Sequence, residues 1–329
     1  MKRRKVICTA LALSAGAPML PGRVQAQPQQ RLFRIGRLVI GAPENSAALF
    51  QEQDEGLRDH GLIEGRNVET ISRWARGSIE TLPALAAELV ALPVDVIVSS
   101  TNPSISAAQR ATSTIPIVMV VGVDPVRNGF IRSLSRPGLN ITGLTNDQGP
   151  SFQGKALDLL KQLAPGAAVV GVLAQQAVGY DRVSLEEAAR HLRLQLVFAP
   201  EVRQPADVES AFASMRGAGA QALYVAGGGF LYQHRQTVAG LALRYRLPGI
   251  FFSSDYVRAG GLFSYGTDLR AQYRRSAWYV ARLLKGANAA DLPVEQPARF
   301  ETALNLRTAK ALGLTVPRGL LLAADVVIE

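Results

Sequence analysis

Apolar positions in this chain follow two rhythms that take turns. Short unbroken runs rich in Val, Ile and Leu read as strands covered on both faces. Stretches with apolar residues three and four apart read as helices. Residues 94–125 show the unit most clearly: the apolar run 94–98 stops at Ser99-Ser100-Thr101-Asn102, a helical pattern fills 104–112, and a second run, 117–121, stops at Gly122-Val123-Asp124-Pro125. Two buried parallel strands need such a crossover, so this is a βαβ unit with both strands ending on one sheet edge.

The same alternation runs along the chain. Strands are predicted at 33–40, 68–74, 94–98, 117–121 and 140–145, with helices at 47–60, 79–91, 104–112 and, briefly, 130–134. Gly61 suits the position just past the first helix. The pattern restarts at 152: helices at 152–163, 184–191, 206–216 and 232–245 alternate with strands at 168–173, 195–198, 222–225 and 249–252. Ser184 and Glu187 have the spacing of a capping box. The tail offers strands at 262–265 and 300–304 and helices at 269–285 and 306–312, too little for a third domain. The expected fold is α/β: two doubly wound lobes with a hinged cleft between them. The expected division is 32–145 plus about 252–286 for the N-terminal lobe and 146–251 plus about 287–329 for the C-terminal lobe.

The first 26 residues change the reading of composition. Lys2-Arg3-Arg4-Lys5 precedes an apolar stretch from Val6 to Leu20, and Val24-Gln25-Ala26 ends on a small residue. This is the pattern of a secretory signal peptide, interrupted by Gly16 and Pro18 and too short to span a bilayer. Its loss removes five of the 36 Lys and Arg and none of the 26 acidic residues, so the net charge falls from +10 to +5. A diffuse +5 is no nucleic-acid footprint. The one cysteine, Cys8, lies inside the leader and away from its end, which disfavours a lipid anchor and leaves the exported chain without thiols.

Candidate chemistry gathers beyond the carboxyl ends of the strands, where open α/β sheets take their ligands. Ser99, Ser100 and Thr101 offer hydroxyls and helix-start N–H groups to a carboxylate, or simply cap the helix. Asp124 either pairs with a ligand ammonium or serves the Asp-Pro turn. Asn146 and Asp147 stand at the first crossing between lobes, as ligand contacts or as hinge. Gly227-Gly228-Gly229 matches neither GxxxxGK[ST] nor GxGxxG and suits a close backbone approach to a ligand, or a loose turn, better than a phosphate cradle. Of the tyrosines, Tyr180 is the favoured ligand contact. His60, His191 and His234 lack metal-ligand spacing, and no nucleophile–base constellation, metal site or cofactor loop is recognisable.

Several segments carry a family resemblance: Gly61-Leu62-Ile63-Glu64-Gly65-Arg66-Asn67-Val68, Thr114-Ile115-Pro116-Ile117-Val118, Asp124-Pro125-Val126, Arg136-Pro137-Gly138, Asn140-Ile141-Thr142-Gly143, Ala259-Gly260-Gly261-Leu262, Leu292-Pro293-Val294-Glu295-Gln296-Pro297 and Thr308-Ala309-Lys310-Ala311-Leu312-Gly313-Leu314. In these the chain resembles the ABC-transporter substrate-binding proteins of the tryptophan/tyrosine type, which have the type I periplasmic-binding fold. The resemblance implies cleft positions at Ser46, Ser99, Ser100, Thr101, Asn102, Asp124 and Asn146 in the first lobe. In the second it implies Gln175, Tyr180, Gly227 and Asp255. Many relatives carry Asn-Pro where this chain has Gln175-Gln176, and Leu-Pro-Asp near Ala226-Gly227-Gly228, so the second wall departs from the family pattern.

The resemblance implies an exported, periplasmic receptor with no cofactor and no catalysis. It would capture a small polar molecule, an amino acid or other small carboxylate, and deliver it to a membrane permease and its ATPase. The alternatives are a sensory protein that presents its ligand to a membrane receptor and, less favoured, a bilobal enzyme.

Overall fold

Strands without a polar face need cover on both sides, and the computed structural model supplies it twice. It describes residues 31–149, 151–175, 181–297 and 299–329; the expected leader lies outside them. Leu32–Glu329 form one compact unit. Its first sheet holds β1 (Phe33–Val39), β2 (Val68–Trp74), β3 (Val96–Ser99), β4 (Ile117–Gly122) and β5 (Ile141–Thr145), all parallel, in the order β2-β1-β3-β4-β5. The crossovers are α1 (Pro43–Asp59), α2 (Leu82–Ala91) and α3 (Asn102–Ala111). Gly61 takes a positive φ of 78° just after α1, as its position in the sequence suggests.

The second sheet begins after α4 (Ser151–Leu163). Its strands are β6 (Val169–Leu173), β7 (Gln195–Phe198), β8 (Ala222–Val225), β9 (Gly249–Phe251), β10 (Phe263–Thr267), β11 (Phe300–Asn305) and β12 (Val326–Ile328), in the order β12-β11-β10-β9-β8-β6-β7. Only the β10–β11 pair is antiparallel. The connecting helices are α5 (Arg182–His191), α6 (Pro205–Gly217), α7 (Gly229–Gln233), α8 (Arg235–Arg244), α9 (Ser254–Arg258), α10 (Leu269–Leu284), α11 (Leu306–Leu312) and α12 (Arg318–Ala323).

The lobes exchange segments, but not where the sequence suggests. Residues 252–267, expected with the first lobe, belong to the second, because β10 pairs in parallel with β9. Residues 287–295, expected with the second lobe, stay with the first: Glu295 N–H donates to Gly143 O at 3.0 Å, and Thr145 N–H donates to Glu295 O at 2.9 Å. The chain therefore passes between sheets three times, after Thr145, after Thr267 and after Glu295.

Other differences have local causes. Residues 130–134 form no helix; Phe130 and Ile131 are buried in a loop that follows Gly129, whose φ is 69°. The helix expected at 232–245 breaks at His234 into α7 and α8. Helix α5 starts two residues early because Asp181, not Ser184, caps it: its carboxylate accepts from Val183 N–H at 3.0 Å and from Ser184 Oγ at 2.6 Å.

Helix α10 leaves the second sheet and packs along α1 in the first lobe. The seam is closest at Gly56, where a Cβ would lie 2.5 Å from the carbonyl oxygen of Arg274 and 2.8 Å from Ala277 Cβ. Gln53 Nε2 donates to Ser276 Oγ at 2.7 Å in the same buried seam. Outside it, Arg274 bonds Glu55 and Asp59, each at 2.8 Å. Further along α10, Arg275 holds the Glu295 carboxylate with two bonds of 3.0 and 2.7 Å. The Arg275 guanidinium keeps that carboxyl below the usual glutamate range, against a smaller opposing effect of burial.

Two predictions follow from this seam. Gly56→Ala gains about 1 kcal/mol of helix propensity. Moving the α10 backbone away costs more, about 1–3 kcal/mol, so urea denaturation should show net destabilisation; a more stable variant would contradict the close approach. Glu295 is ionised more readily folded than unfolded, so its contribution is complete at neutral pH. It fades as pH falls through and below about 4.3, the free glutamate value. Glu295→Gln should therefore be less stable than wild type at pH 7 and equal to it in acid, in paired melting curves. Both partners are about 40% exposed, so added salt should shrink the difference.

Candidate functional site

Parallel strands deliver their following loops to one edge, and here the two edges face each other across a cleft of about 1220 Å³. From the first lobe it is lined by Ile40 and Gly41 after β1, Ser100 to Asn102 after β3, Val123 and Asp124 after β4, and Asn146 and Asp147 after β5. The facing wall holds Gln153 of α4, Gln175 after β6, Val202 after β7, Gly227 to Gly229 after β8 and Phe252 after β9. Tyr273, in the second turn of α10, also lines it.

The strand ends of the first lobe are held by backbone-directed bonds. Thr101 and Ser104 form a capping box at the start of α3. Asn102 lines the cleft, but both ends of its amide are taken: Nδ2 donates to Val123 O and Oδ1 accepts from Val123 N–H, each at 2.8 Å. It braces the β4 loop. Asp124 sits at φ 47°, unusual for a residue with a side chain. Its N–H donates to Asp147 Oδ1 at 2.6 Å, while its half-exposed carboxylate lies 4.0 Å from Arg127. Burial pushes the Tyr273 phenol above its ordinary pKa, against a smaller lowering effect of the Ser100 hydroxyl.

Two acceptors stand out by being unsatisfied. Asn146 Oδ1 and Gln153 Oε1, on residues that line the cleft, are buried without a hydrogen-bond partner among the described residues. A buried acceptor left unpaired costs roughly 1–3 kcal/mol. Gln153 is only 5% exposed.

On the second wall, Gln175 Oε1 accepts from Phe230 N–H at 3.3 Å and lies where a Cβ on Gly228 would come within 2.8 Å. The glycine run thus lets the loop fold over Gln175. Tyr232 is among the cleft-lining residues and donates its hydroxyl to Asp255 Oδ2 at 2.6 Å. Burial, then the Asp255 charge, drive that phenol far above its ordinary pKa. Asp255 also accepts from Arg270 Nη2 at 2.8 Å. Burial of that guanidinium works against its charge, but the carboxylate prevails and its pKa is raised.

Of the residues singled out by sequence, Ser46, Ser100, Thr101, Asn102, Asp124, Asn146, Gln175 and Gly227 line the cleft. Two do not. Ser99 ends β3 with its side chain buried; successive strand residues point to opposite faces, so Ser100 reaches the cleft and Ser99 does not. Asp255 is buried behind Tyr232, its carboxylate spent on Tyr232 and Arg270. Tyr180 lies outside the described residues. Sequence reasoning missed Gln153, Tyr232, Gln233, Phe252 and Tyr273. Gln153 carried one usable signal, its place in the first helical turn after a lobe crossing. Tyr273 carried none, since a helical tyrosine reads as core.

Among the described residues no group of three or more His, Cys, Asp or Glu is placed to hold a metal ion, and no helix is long and apolar enough to cross a membrane.

Known proteins share this arrangement. A tyrosine-binding protein of Clostridioides difficile is 28% identical over 263 residues, covering 79% of this chain and 75% of that protein. A conserved domain protein of Vibrio cholerae matches 90% of this chain and all of its own, with 26% identity and a TM-score of 0.82. A Streptococcus pneumoniae ABC domain in complex with L-Trp matches over the same shares, with 23% identity and a TM-score of 0.81. The family model for ABC transporter substrate binding proteins matches residues 46–328, from the Ser46 wall of the cleft to the last strand. This chain belongs to the ABC transporter substrate-binding protein family.

Proposed function

We propose that the cleft captures a free α-amino acid. The carrying observation is the pair of unsatisfied buried acceptors, Asn146 Oδ1 on the first wall and Gln153 Oε1 on the facing one, in a cleft whose first wall also bears hydroxyls and helix starts. An ammonium group gives those oxygens the donors they lack, and the half-exposed Asp124 carboxylate adds charge of the right sign. A carboxylate suits Ser46, Ser100 and Thr101 at the N-termini of α1 and α3. Tyr232, Phe252 and Tyr273 line the cleft, and three aromatic residues in its walls favour an aromatic side chain. The tyrosine-binding and L-Trp-bound relatives support the same class.

In this reading the protein is exported by its leader to the periplasm, closes on its solute and delivers it to a permease driven by an ATPase. It performs no chemistry on what it carries. The three chain passages between lobes suit a hinge motion biased by contacts with both walls.

L-Tryptophan and L-tyrosine should raise the melting temperature of the purified protein. At a hundred times Kd the stabilisation is about 2.7 kcal/mol. Gln153→Ala and Asn146→Ala should each weaken binding about ten- to hundredfold by calorimetry, the loss expected for a hydrogen bond to a charged group. Failure of every amino acid to bind, or conversion of one to a product, would overturn the proposal.

A further inference from the structure

Gln233 is a polar residue of the cleft whose partners stand on the opposite lobe. It ends α7, in the second lobe, yet its Oε1 accepts from Ala42 N–H at 3.3 Å and its Nε2 donates to Ser46 Oγ at 3.4 Å. Ala42 is the N-cap of α1, and no side chain of that helix caps it. Gln233 supplies the acceptor from across the cleft. The fit depends on Gly41, where a Cβ would fall 2.1 Å from Gln233 Nε2. Beside it, Gly229 approaches the first lobe so closely that a Cβ there would lie 3.2 Å from Ile40 Cγ2 and 3.5 Å from Thr101 Cγ2. Side-chain absence on both lobes, at Gly41 and Gly229, lets the α7 segment seat against the ends of β1 and β3.

We infer that Gln233, seated on Gly41, Ala42 and Ser46, is an interlobe latch: a positioning residue that favours lobe closure through protein contacts alone. Its bonds exist only while the lobes are together; opening hands each group to water. Both are long and neutral, so the latch biases closure without locking it. A solute that needs both walls binds with an affinity scaled by the fraction of protein already able to present them. Gln233 thus acts on every solute the cleft accepts. The inference goes beyond the proposed ligand and does not depend on it.

Small-angle scattering of the purified protein without added solute tests it directly. Gln233→Ala removes the latch. Gly41→Ala places a methyl where the Gln233 amide sits; because that amide is the flexible end of a side chain, the fold survives and the amide moves away. Each variant should show a larger radius of gyration than wild type at an unchanged melting temperature. The double variant should match Gln233→Ala, since a methyl at Gly41 has nothing left to displace. With whichever of L-tryptophan and L-tyrosine binds, Kd should rise about three- to thirtyfold in both single variants, chiefly through faster release. Scattering identical to wild type in the single variants overturns the latch, as do effects that add in the double variant. Failure of both probes to bind counts against the proposed solute, while the scattering still decides the latch.

Discussion

The two-lobed arrangement depends on the seating of α10 against α1. That helix follows a strand of the second sheet, yet it buries Tyr273, Ala277 and Val280 in the first lobe. Gly56 admits the α10 backbone, and the Gln53–Ser276 bond sits within the joint. A chain that must return to the first lobe for this contact and then go back for β11 has to cross three times. A single linker would let the lobes swivel freely; three strands of chain side by side confine them to bending.

Within that frame, parallel pairing decides where polar residues can gather. Both sheets are covered on their faces by helices, so loops at the strand ends are the places where Ser, Asn, Gln and Asp can stand without disturbing a core. The site is therefore built of short side chains near helix starts, braced from behind by residues such as Asn102 and Gln175. Asn146 and Gln153 are different: they are buried like braces but have nothing to brace.

Strand positions and the two α/β halves were legible in the sequence because unbroken apolar runs and their Gly, Pro and Ser stops are local signals. Most of the first wall followed from them, since a loop after a predicted parallel strand has one place to go. The allotment of 252–267 and 287–295 was not legible, because sheet membership depends on pairing partners far away in sequence. Ser99 and Ser100 differ only in which way each faces, and a boundary uncertain by one residue exchanges them. Asp255 looked like a site residue because the family resemblance places it in the cleft; its spending on Tyr232 and Arg270 is visible only in three dimensions.

That spending has a mechanical consequence. Arg270 lies two residues into α10, which travels with the first lobe, whereas Asp255 and Tyr232 belong to the second. The carboxylate is thus an anchor placed at the pivot itself, beside the passage at residue 268. Points near a pivot scarcely move when a lever swings, so in the proposed closure this half-buried pair persists while groups at the cleft mouth travel. In that closure Tyr232, bonded to the anchor, is the stationary jaw of the clamp, and the opposite strand ends are the moving one.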